Sequence, residues 1–269
     1  MKRKITILLL LIAVIYIALS GLMYTFQNRF TFAPEVAALR QPDVFPSKVF
    51  KKVHLTTKDG TTLQGLQTHP LKNAPIVVFF GGNAQNLIHF AQFLRTALPG
   101  VNLVGFNYRG YGESAGTPTK KHLMLDVHAV AKYVRDKMPE QPIYSLGLSI
   151  GTGPATKYAA LANTAGLLLI MPYDNLTEVA RDLYPFLPVS LLLRNNIKTD
   201  AYIKKYNGPT AIIAAADDKI IRPERSKALA QHARNLITYQ KTPGKTHISM
   251  IGSNELRGWL TAIFNRMSE

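Results

Sequence analysis

Short apolar segments alternate with helical patterns along most of the chain. Six segments rich in aliphatic, β-branched and aromatic residues have the length of strands: 76–80, 101–106, 143–148, 166–171, 210–215 and 236–240. Between them, apolar residues such as Leu123, Val127 and Val134 recur at the spacing of a helix with one buried face. Strands separated by helices predict an α/β fold with a mostly parallel, doubly wound sheet and helices on both faces.

The N-terminal part of the chain has a different pattern, a nearly uninterrupted apolar run from Ile5 to Phe26. As a helix this run is about 33 Å long, enough to cross a bilayer core. Basic residues precede it and the next follows only at Arg29, which predicts a cytoplasmic N-terminus and an exported body. Residues 1–27 are therefore predicted to be a transmembrane signal-anchor. A signal peptide cleaved after residues 18–20 is the alternative, but the apolar run continues beyond that site.

Two further strand patterns precede the alternating region. Residues 28–48 contain Pro34, Pro42 and Pro46, which predicts a linker that leads to one large domain at residues 49–269. The segments 49–57 and 63–69 are joined through Lys58-Asp59-Gly60, a turn signal. They predict an antiparallel edge of the sheet.

Residues 172–208 interrupt the alternation and predict a small cap inserted between two strands. The apolar stretch 184–193 within it is expected to pack inside the cap. Lining of an acyl pocket and contact with the bilayer are the alternatives for this stretch.

Composition narrows the chemistry. The 269 residues contain no cysteine, which excludes disulfides, thiolate metal sites and a cysteine nucleophile. The net charge is +16, but the basic residues are scattered and no nucleic-acid motif is present, so no nucleic-acid partner is expected. A solvated basic surface or attraction to an anionic membrane accounts for the charge. No metal-ligand constellation or dinucleotide-binding glycine pattern appears, so we expect neither a metal nor a cofactor.

The strand pattern 143–148 ends in Gly147-Leu148-Ser149-Ile150-Gly151, and a helical pattern follows. Strand, G-x-S-x-G turn and helix together are the context of a nucleophile elbow. Glycines at the two flanking positions leave room for the strand and the helix to approach each other. Ser149 is therefore the candidate nucleophile, and the Ile150 N–H is expected to face the same crevice.

Other polar segments also follow predicted strands: 81–86, 107–114, Asp217-Asp218 and the loop that contains His247. The carboxyl ends of parallel strands meet at one edge of the sheet, where reactive crevices form in open α/β folds. The chain order serine, aspartate, histidine is the order of the triad in α/β-hydrolases. Asp217 and Asp218 are both candidates for the acid at this point, and His247 is the candidate base.

Several motifs in one order resemble those of α/β-hydrolases of the serine-aminopeptidase and monoacylglycerol-lipase-like branch, in particular its membrane-anchored members with a short cap. Residues 79–86, Phe-Phe-Gly-Gly-Asn-Ala-Gln-Asn, resemble the H-G-N-A-G-N loop of that group, and residues 107–114 its D-Y-R-G-Y-G-x-S. Residues 218–224 resemble its D-x-x-I-P-P-E, and residues 243–247 its P-G-x-x-H.

The resemblance implies an α/β-hydrolase fold and assigns roles to single residues. Ser149 would attack, His247 would transfer protons and Asp218 would orient the imidazole. Asn83 would supply one oxyanion N–H, beside that of Ile150. The sequence departs from the group at Gly81, where a histidine is usual, and at Asn107, where an aspartate is usual.

These observations predict a membrane-anchored serine hydrolase that cleaves carboxylic esters of acyl or lipid-like substrates through an acyl-enzyme. A serine peptidase or aminopeptidase of the same fold is the first alternative. A catalytically silent binding or scaffold protein is the second, because Gly81 and Asn107 depart from the group. The sequence does not indicate an oligomeric state.

Overall fold

A computed structural model describes residues 1–39, 44–138 and 140–268. It contains one eight-stranded sheet with the strand order β1-β2-β4-β3-β5-β6-β7-β8. The strands are β1 (Phe50–Thr56), β2 (Thr62–Thr68), β3 (Ile76–Phe80), β4 (Asn102–Phe106), β5 (Ile143–Leu148), β6 (Gly166–Ile170), β7 (Thr210–Ala215) and β8 (Leu236–Thr242). The helices are α1 (Lys2–Thr31), α2 (Pro34–Ala38), α3 (Leu87–Ala97), α4 (Lys120–Lys137), α5 (Thr152–Ala162), α6 (Leu176–Leu183), α7 (Val189–Leu192), α8 (Thr199–Ile203), α9 (Pro223–Ala230), α10 (His247–Met250) and α11 (Asn254–Ser268).

The direction of the strands agrees with the sequence pattern. β1 pairs antiparallel with β2, and β2 pairs antiparallel with β4, so this end of the sheet is the predicted antiparallel edge. All pairs from β4 to β8 are parallel. The prediction of a mostly parallel sheet is confirmed. The loops that follow β3, β5, β7 and β8 consequently open on one edge.

Both faces of the sheet are covered, as the near-continuous apolar strands require. Along β3, Val78 points to a core that includes Val127 of α4 and Tyr158 of α5. The next residue, Phe79, points to the opposite core with Leu94 of α3. Successive side chains along a strand therefore point into two separate cores, one on each face of the sheet. The doubly wound arrangement is confirmed.

Polar caps set several helix starts. The Asn86 side chain accepts hydrogen bonds from Ile88 N and His89 N at the start of α3, and Thr119 accepts one from His122 N at the start of α4.

β8 extends two residues beyond the predicted end at 240, because its pairing with β7 continues to Ala215 and Thr242. α9 ends at Ala230 rather than near 234, because the chain turns there to enter β8.

The N-terminal helix is longer than predicted. α1 continues to Thr31, four residues past the predicted end at 27, and by length and composition it is long and apolar enough to cross a membrane. Phe32 and Ala37 of the predicted linker 28–48 are buried in the domain core, so this part of the chain packs on the domain. Pro42 of that linker lies outside the described residues.

Three short helices, α6, α7 and α8, lie between β6 and β7, where the cap was predicted. An antiparallel bridge between Asn175 and Lys198 joins the two ends of the segment that carries α6 and α7. The Leu176 N–H donates to the Ile197 carbonyl at the same place, at 3.1 Å. This segment is called the cap below.

Candidate active site

The turn after β5 holds Ser149 in the left-handed region, with φ of 53°. A non-glycine residue in this region is strained, and such strain is common at functional positions. The turn is tight on both sides. A Cβ added to Gly147 would lie 2.6 Å from Thr152 Cα, and one added to Gly151 would lie 2.3 Å from the Phe80 carbonyl oxygen. Both glycines of the motif are therefore required by packing.

This packing leads to a stability prediction. We expect Gly151→Ala to lower the free energy of unfolding by about 1–3 kcal/mol, because the new methyl group meets backbone atoms that cannot move aside. Gly81→Ala is the matched control, since its Cβ would meet no atom within 4 Å. Chemical unfolding of both variants in detergent measures the difference. Equal unfolding midpoints would show that the turn is looser than the structure indicates.

Ser149, His247 and Asp218 form a continuous hydrogen-bonded chain. His247 Nε2 lies 2.9 Å from Ser149 Oγ, and His247 Nδ1 lies 2.6 Å from Asp218 Oδ2. All three side chains are buried. The structure thus brings together the three residues that were predicted from distant parts of the sequence.

The Asp218 carboxylate is fixed by the backbone that follows it. Its Oδ1 accepts hydrogen bonds from Ile220 N at 2.8 Å and Ile221 N at 2.9 Å, which leaves Oδ2 for the imidazole. The neighbouring Asp217 is exposed, and its backbone N–H donates to the Lys245 carbonyl. Of the two aspartates weighed in the sequence, only Asp218 faces His247.

The predicted oxyanion donors lie at the same edge of the sheet. Asn83 and Ile150 both line a cavity that Ser149 also lines. Ile150 is the second residue of the helical turn at Ser149–Gly151, and the first N–H groups of a helix have no partner within it. In the part of the chain that the structure describes, Asn83 N makes no hydrogen bond. Both N–H groups are available to an oxygen bound beside Ser149.

The Asn83 loop is held by residues that the sequence did not single out for this role. Asn83 Oδ1 accepts hydrogen bonds from the Tyr111 hydroxyl and from the Ala33 N–H, each at 2.8 Å. Burial raises the pKa of Tyr111, so the phenol stays a neutral donor. Ala33 directly follows α1 and Phe32, so the end of the N-terminal segment is tied to this loop.

The two departures from the related motifs have a structural reading. The Gly81 carbonyl accepts a hydrogen bond from the Tyr108 hydroxyl at 2.7 Å, so the strand end is held without a histidine side chain. The Asn107 side chain donates to Gln64 Oε1 rather than to any of Ser149, Asp218 and His247. Neither departure removes a group from the hydrogen-bonded chain.

Arg109 of the same motif has a structural role. Its guanidinium is buried between Asp126, at 2.6 Å, and Asp59, at 2.8 Å. These hydrogen bonds from Arg109 hold the pKa of Asp59 well below its usual range. Arg109 therefore fastens the β1–β2 turn to α4, behind the loop that carries Tyr111.

A cavity of about 200 Å³ extends from Ser149 and is lined mainly by apolar side chains. Its cap side consists of Leu176, Val179, Ala180, Leu183, Tyr184, Leu187, Val189, Leu192 and Leu193. A second side is formed by Met23, Gln27, Phe30 and Thr31 of α1, and Tyr173, Ile220 and Ile221 complete the lining around Ser149. The apolar cap stretch lines a pocket, one of the alternatives left open by the sequence. The contribution of α1 was not predicted.

Among residues 1–39, 44–138 and 140–268, no three histidine, aspartate or glutamate side chains come together in a way that could hold a metal ion.

Comparisons with known proteins agree with this architecture. A family model of the alpha/beta hydrolase fold matches residues 75–187. An uncharacterized protein of Mycobacterium tuberculosis is 28% identical over 246 residues, which cover 88% of this chain and 86% of that protein. The lysophosphatidylserine lipase ABHD12 of Danio rerio is 25% identical over 213 residues, which cover 68% of this chain and 56% of the lipase.

Solved structures show the same fold. The esterase Pf2001 of Pyrococcus furiosus superposes with a TM-score of 0.68 at 19% identity, over 85% of this chain and 96% of the esterase. Est1E of Butyrivibrio proteoclasticus, solved with ferulic acid, superposes with a TM-score of 0.66 at 17% identity, over 80% of this chain and 98% of Est1E.

The strand order, the parallel sheet with its antiparallel edge and the strained serine turn after β5 define an α/β-hydrolase fold. The family model of this fold over residues 75–187 and the superposed esterase structures agree that the chain has the α/β-hydrolase fold.

Proposed function

We propose that this protein is a membrane-anchored serine hydrolase that cleaves carboxylic esters with an apolar acyl group. The observation that carries the proposal is the chain from Ser149 Oγ through His247 to Asp218, with distances of 2.9 and 2.6 Å, at the mouth of an apolar cavity. A serine hydroxyl becomes a nucleophile when an oriented imidazole takes its proton.

The proposed reaction has two halves. Ser149 Oγ attacks the ester carbonyl carbon while His247 Nε2 takes the hydroxyl proton. The tetrahedral oxyanion is held by the N–H groups of Ile150 and Asn83. His247 then gives its proton to the departing alkoxide, which leaves as the alcohol, and an acyl-enzyme remains. Water, deprotonated by His247, attacks this second ester and releases the carboxylic acid and the free serine.

The choice of an ester with an apolar acyl group has two supports. Most side chains around the cavity are aliphatic or aromatic, which suits a hydrocarbon chain better than a peptide. Among the relatives, the ABHD12 proteins are named lysophosphatidylserine lipases, and Pf2001 is named an esterase.

Membrane anchoring is part of the proposal. Lys2, Arg3 and Lys4 precede the apolar run of α1, and this basic-residue bias supports a cytoplasmic position for the N-terminal end. The hydrolase domain would then lie on the exported side. The apolar residues of α1 from Ile5 to Leu22 are largely exposed outside the domain, as expected of a helix surrounded by lipid.

A substrate panel tests the reaction. Full-length protein in detergent is expected to react with a fluorophosphonate probe and to hydrolyse p-nitrophenyl esters, with kcat/KM rising from acetate to medium acyl chains. Aminoacyl p-nitroanilides are expected to react far more slowly. Preference for the anilides would favour the peptidase, and a folded protein that neither labels nor turns over any substrate would favour the scaffold.

Tyr111 allows a test of the oxyanion loop. Tyr111→Phe removes one donor to Asn83 Oδ1, and a hydrogen bond of this kind contributes about 0.5–1.5 kcal/mol. We therefore expect kcat for a short ester to fall about 2- to 10-fold with little change in KM. The control is Tyr133→Phe, whose hydroxyl donates to Gln67 Oε1 instead. Equal effects of the two variants would separate Tyr111 from catalysis.

A further inference from the structure

The cavity beside Ser149 has one wall that belongs to the membrane helix. Met23, Gln27 and Thr31 of α1 face the cap across the cavity. The part of α1 that precedes them, from Ile5 to Leu22, is apolar and largely exposed. The helix that forms the predicted membrane anchor therefore runs directly from the lipid region to the candidate nucleophile.

Polar contacts lock this wall to the cap. The Gln27 side chain is buried, its Nε2 donates to the Leu192 carbonyl at 3.0 Å, and its Oε1 accepts from Arg194 N at 2.7 Å. The next residue of α1, Asn28, makes a second contact with the cap: its Oδ1 accepts a hydrogen bond from Asn195 Nδ2 at 2.6 Å. Because these bonds hold both the nitrogen and the oxygen of the Gln27 amide, they fix the rotation of α1 about its axis and its position along that axis relative to the cap.

The outer part of the cap is apolar and exposed. Residues 183–193, called the cap tip below, carry no charged side chain and are bounded by Asp182 and Arg194. Within the tip, Phe186 is 67% exposed and Leu191 is 85% exposed, although neither lines the cavity. An apolar patch of this kind indicates contact with a membrane or a partner.

The position of the cap tip beside α1 favours the membrane, rather than a partner protein, as what this patch contacts. The Tyr16 hydroxyl donates to the Phe186 carbonyl at 3.0 Å, so the cap tip lies beside Tyr16. Tyr16 precedes Phe26, the end of the apolar run, by ten residues, or about 15 Å of helix. The hydrocarbon core is about 30 Å thick, so a run from Ile5 to Phe26 that fills it places Tyr16 near its middle. The cap tip would then lie inside the hydrocarbon, with Gln27 at its boundary.

A cation and an aromatic ring lie at the expected boundary of the hydrocarbon, beside Gln27. The Arg194 guanidinium, directly after the cap tip, stacks on the Tyr24 ring, with its Cζ atom 4.7 Å from the ring centre. Tyrosine and arginine at this level are typical of the headgroup region, where an aromatic ring and a cation are both favourable. Ser149, which lines the cavity together with Gln27, would lie at the same level.

Building on the proposed function, we propose that the substrate is an acyl ester dissolved in the bilayer, and that its chain enters the cavity sideways through the seam between α1 and the cap tip. The ester group would then stop at the membrane boundary beside Ser149 while the chain stays in an apolar environment throughout. The cap tip is a membrane-inserted wall of this route, and the last turns of α1 are its other wall.

The route is tested by comparing two substrates in one membrane. Full-length protein is reconstituted in vesicles of phosphatidylethanolamine and phosphatidylglycerol and supplied with 4-methylumbelliferyl oleate, which partitions into lipid, or with the water-soluble acetate. We expect the double variant Phe186→Asp/Leu191→Asp to lower oleate hydrolysis at least about 10-fold, because charge inside hydrocarbon is costly. Acetate hydrolysis is expected to stay within about twofold, since these side chains do not line the cavity.

The matched control is Leu71→Asp/Leu161→Asp, which places the same charges on apolar residues of 47% and 45% exposure outside the cap. It is expected to leave both rates unchanged. Unchanged oleate hydrolysis in the cap-tip variant would overturn the route, and so would an equal loss with both substrates. Absence of labelling and turnover in the wild type would instead overturn the proposed function.

A second measurement is independent of activity. The chain has a single tryptophan, Trp259, so Trp259→Phe/Phe186→Trp carries one fluorophore at the cap tip. In vesicles with nitroxide groups along the acyl chain, its fluorescence is expected to be quenched most by nitroxides deep in the hydrocarbon. Trp259→Phe/Leu71→Trp is expected to show little quenching. Equally weak quenching of both variants would place the cap tip in water and end the proposal.

Discussion

Ser149→Ala is expected to abolish fluorophosphonate labelling and to lower kcat for short esters by about 10⁴- to 10⁶-fold. The Ser149 hydroxyl is the proposed nucleophile, which forms the bond to the acyl group, and alanine leaves the His247 imidazole without its partner at 2.9 Å. Because the turn at Ser149 has positive φ, alanine keeps the backbone strain and the loss reports on chemistry rather than on folding.

Ser145→Ala is the matched control for this prediction. It removes a hydroxyl from β5, the strand that leads into the Ser149 turn, but this hydroxyl donates to the Ala155 carbonyl at 2.8 Å and is buried away from the cavity. Labelling is expected to persist in this variant even if its unfolding temperature falls. Labelling that survives in Ser149→Ala would move the nucleophile elsewhere and remove the basis of the proposed function.

Asp218→Asn is expected to lower kcat by about 10⁴-fold with little change in unfolding temperature. The Ile220 and Ile221 N–H groups would continue to hold the side-chain oxygen, so the amide NH₂ would face His247 Nδ1. Two donors cannot share that position, and the imidazole would adopt the tautomer with its proton on Nε2. That nitrogen could then no longer take the proton of Ser149.

The neighbouring Asp217 supplies an unusually close control. Asp217→Asn makes the same chemical change one residue earlier, on an exposed side chain, and is expected to leave kcat within about twofold of wild type. Steady-state rates with p-nitrophenyl acetate compare the two variants directly. A larger loss in Asp217→Asn than in Asp218→Asn would exchange their assignments.

Much of the fold was predictable because its signals are local. Buried strands such as Ile76–Phe80 and Thr210–Ala215 have the same bounds in the structure as in the sequence pattern. The parallel sheet then brings the polar loops to one edge, so candidates for the site could be named without coordinates. Ser149, Asp218 and His247 do meet there, whereas their catalytic roles stay predictions, as do those of Asn83 and Ile150.

The rest depended on contacts between distant segments. The bond from Gln27 to Leu192 joins residues 165 positions apart, and that from Tyr16 to Phe186 joins residues 170 apart. A hydrophobic pattern reports which residues are buried, but it does not report against what they are buried. For this reason the sequence placed the end of α1 in an anchor and a linker, and it gave no indication that this helix borders the cavity.

If α1 is the membrane anchor proposed above, the position of Gln27 has a consequence for release of the domain from the membrane. Proteolysis after Ser20, the alternative cut considered for the N-terminus, would free the domain but leave Met23 to Thr31 seated against the cap. A shed form would therefore keep a complete pocket, whereas a recombinant fragment that starts at Ala33 would have a hole along one flank. A cut before Met23 would release the domain with its pocket intact, whereas a cut after Thr31 would release it and also remove one wall of the pocket. The position of the cut would therefore decide whether the released domain stays active.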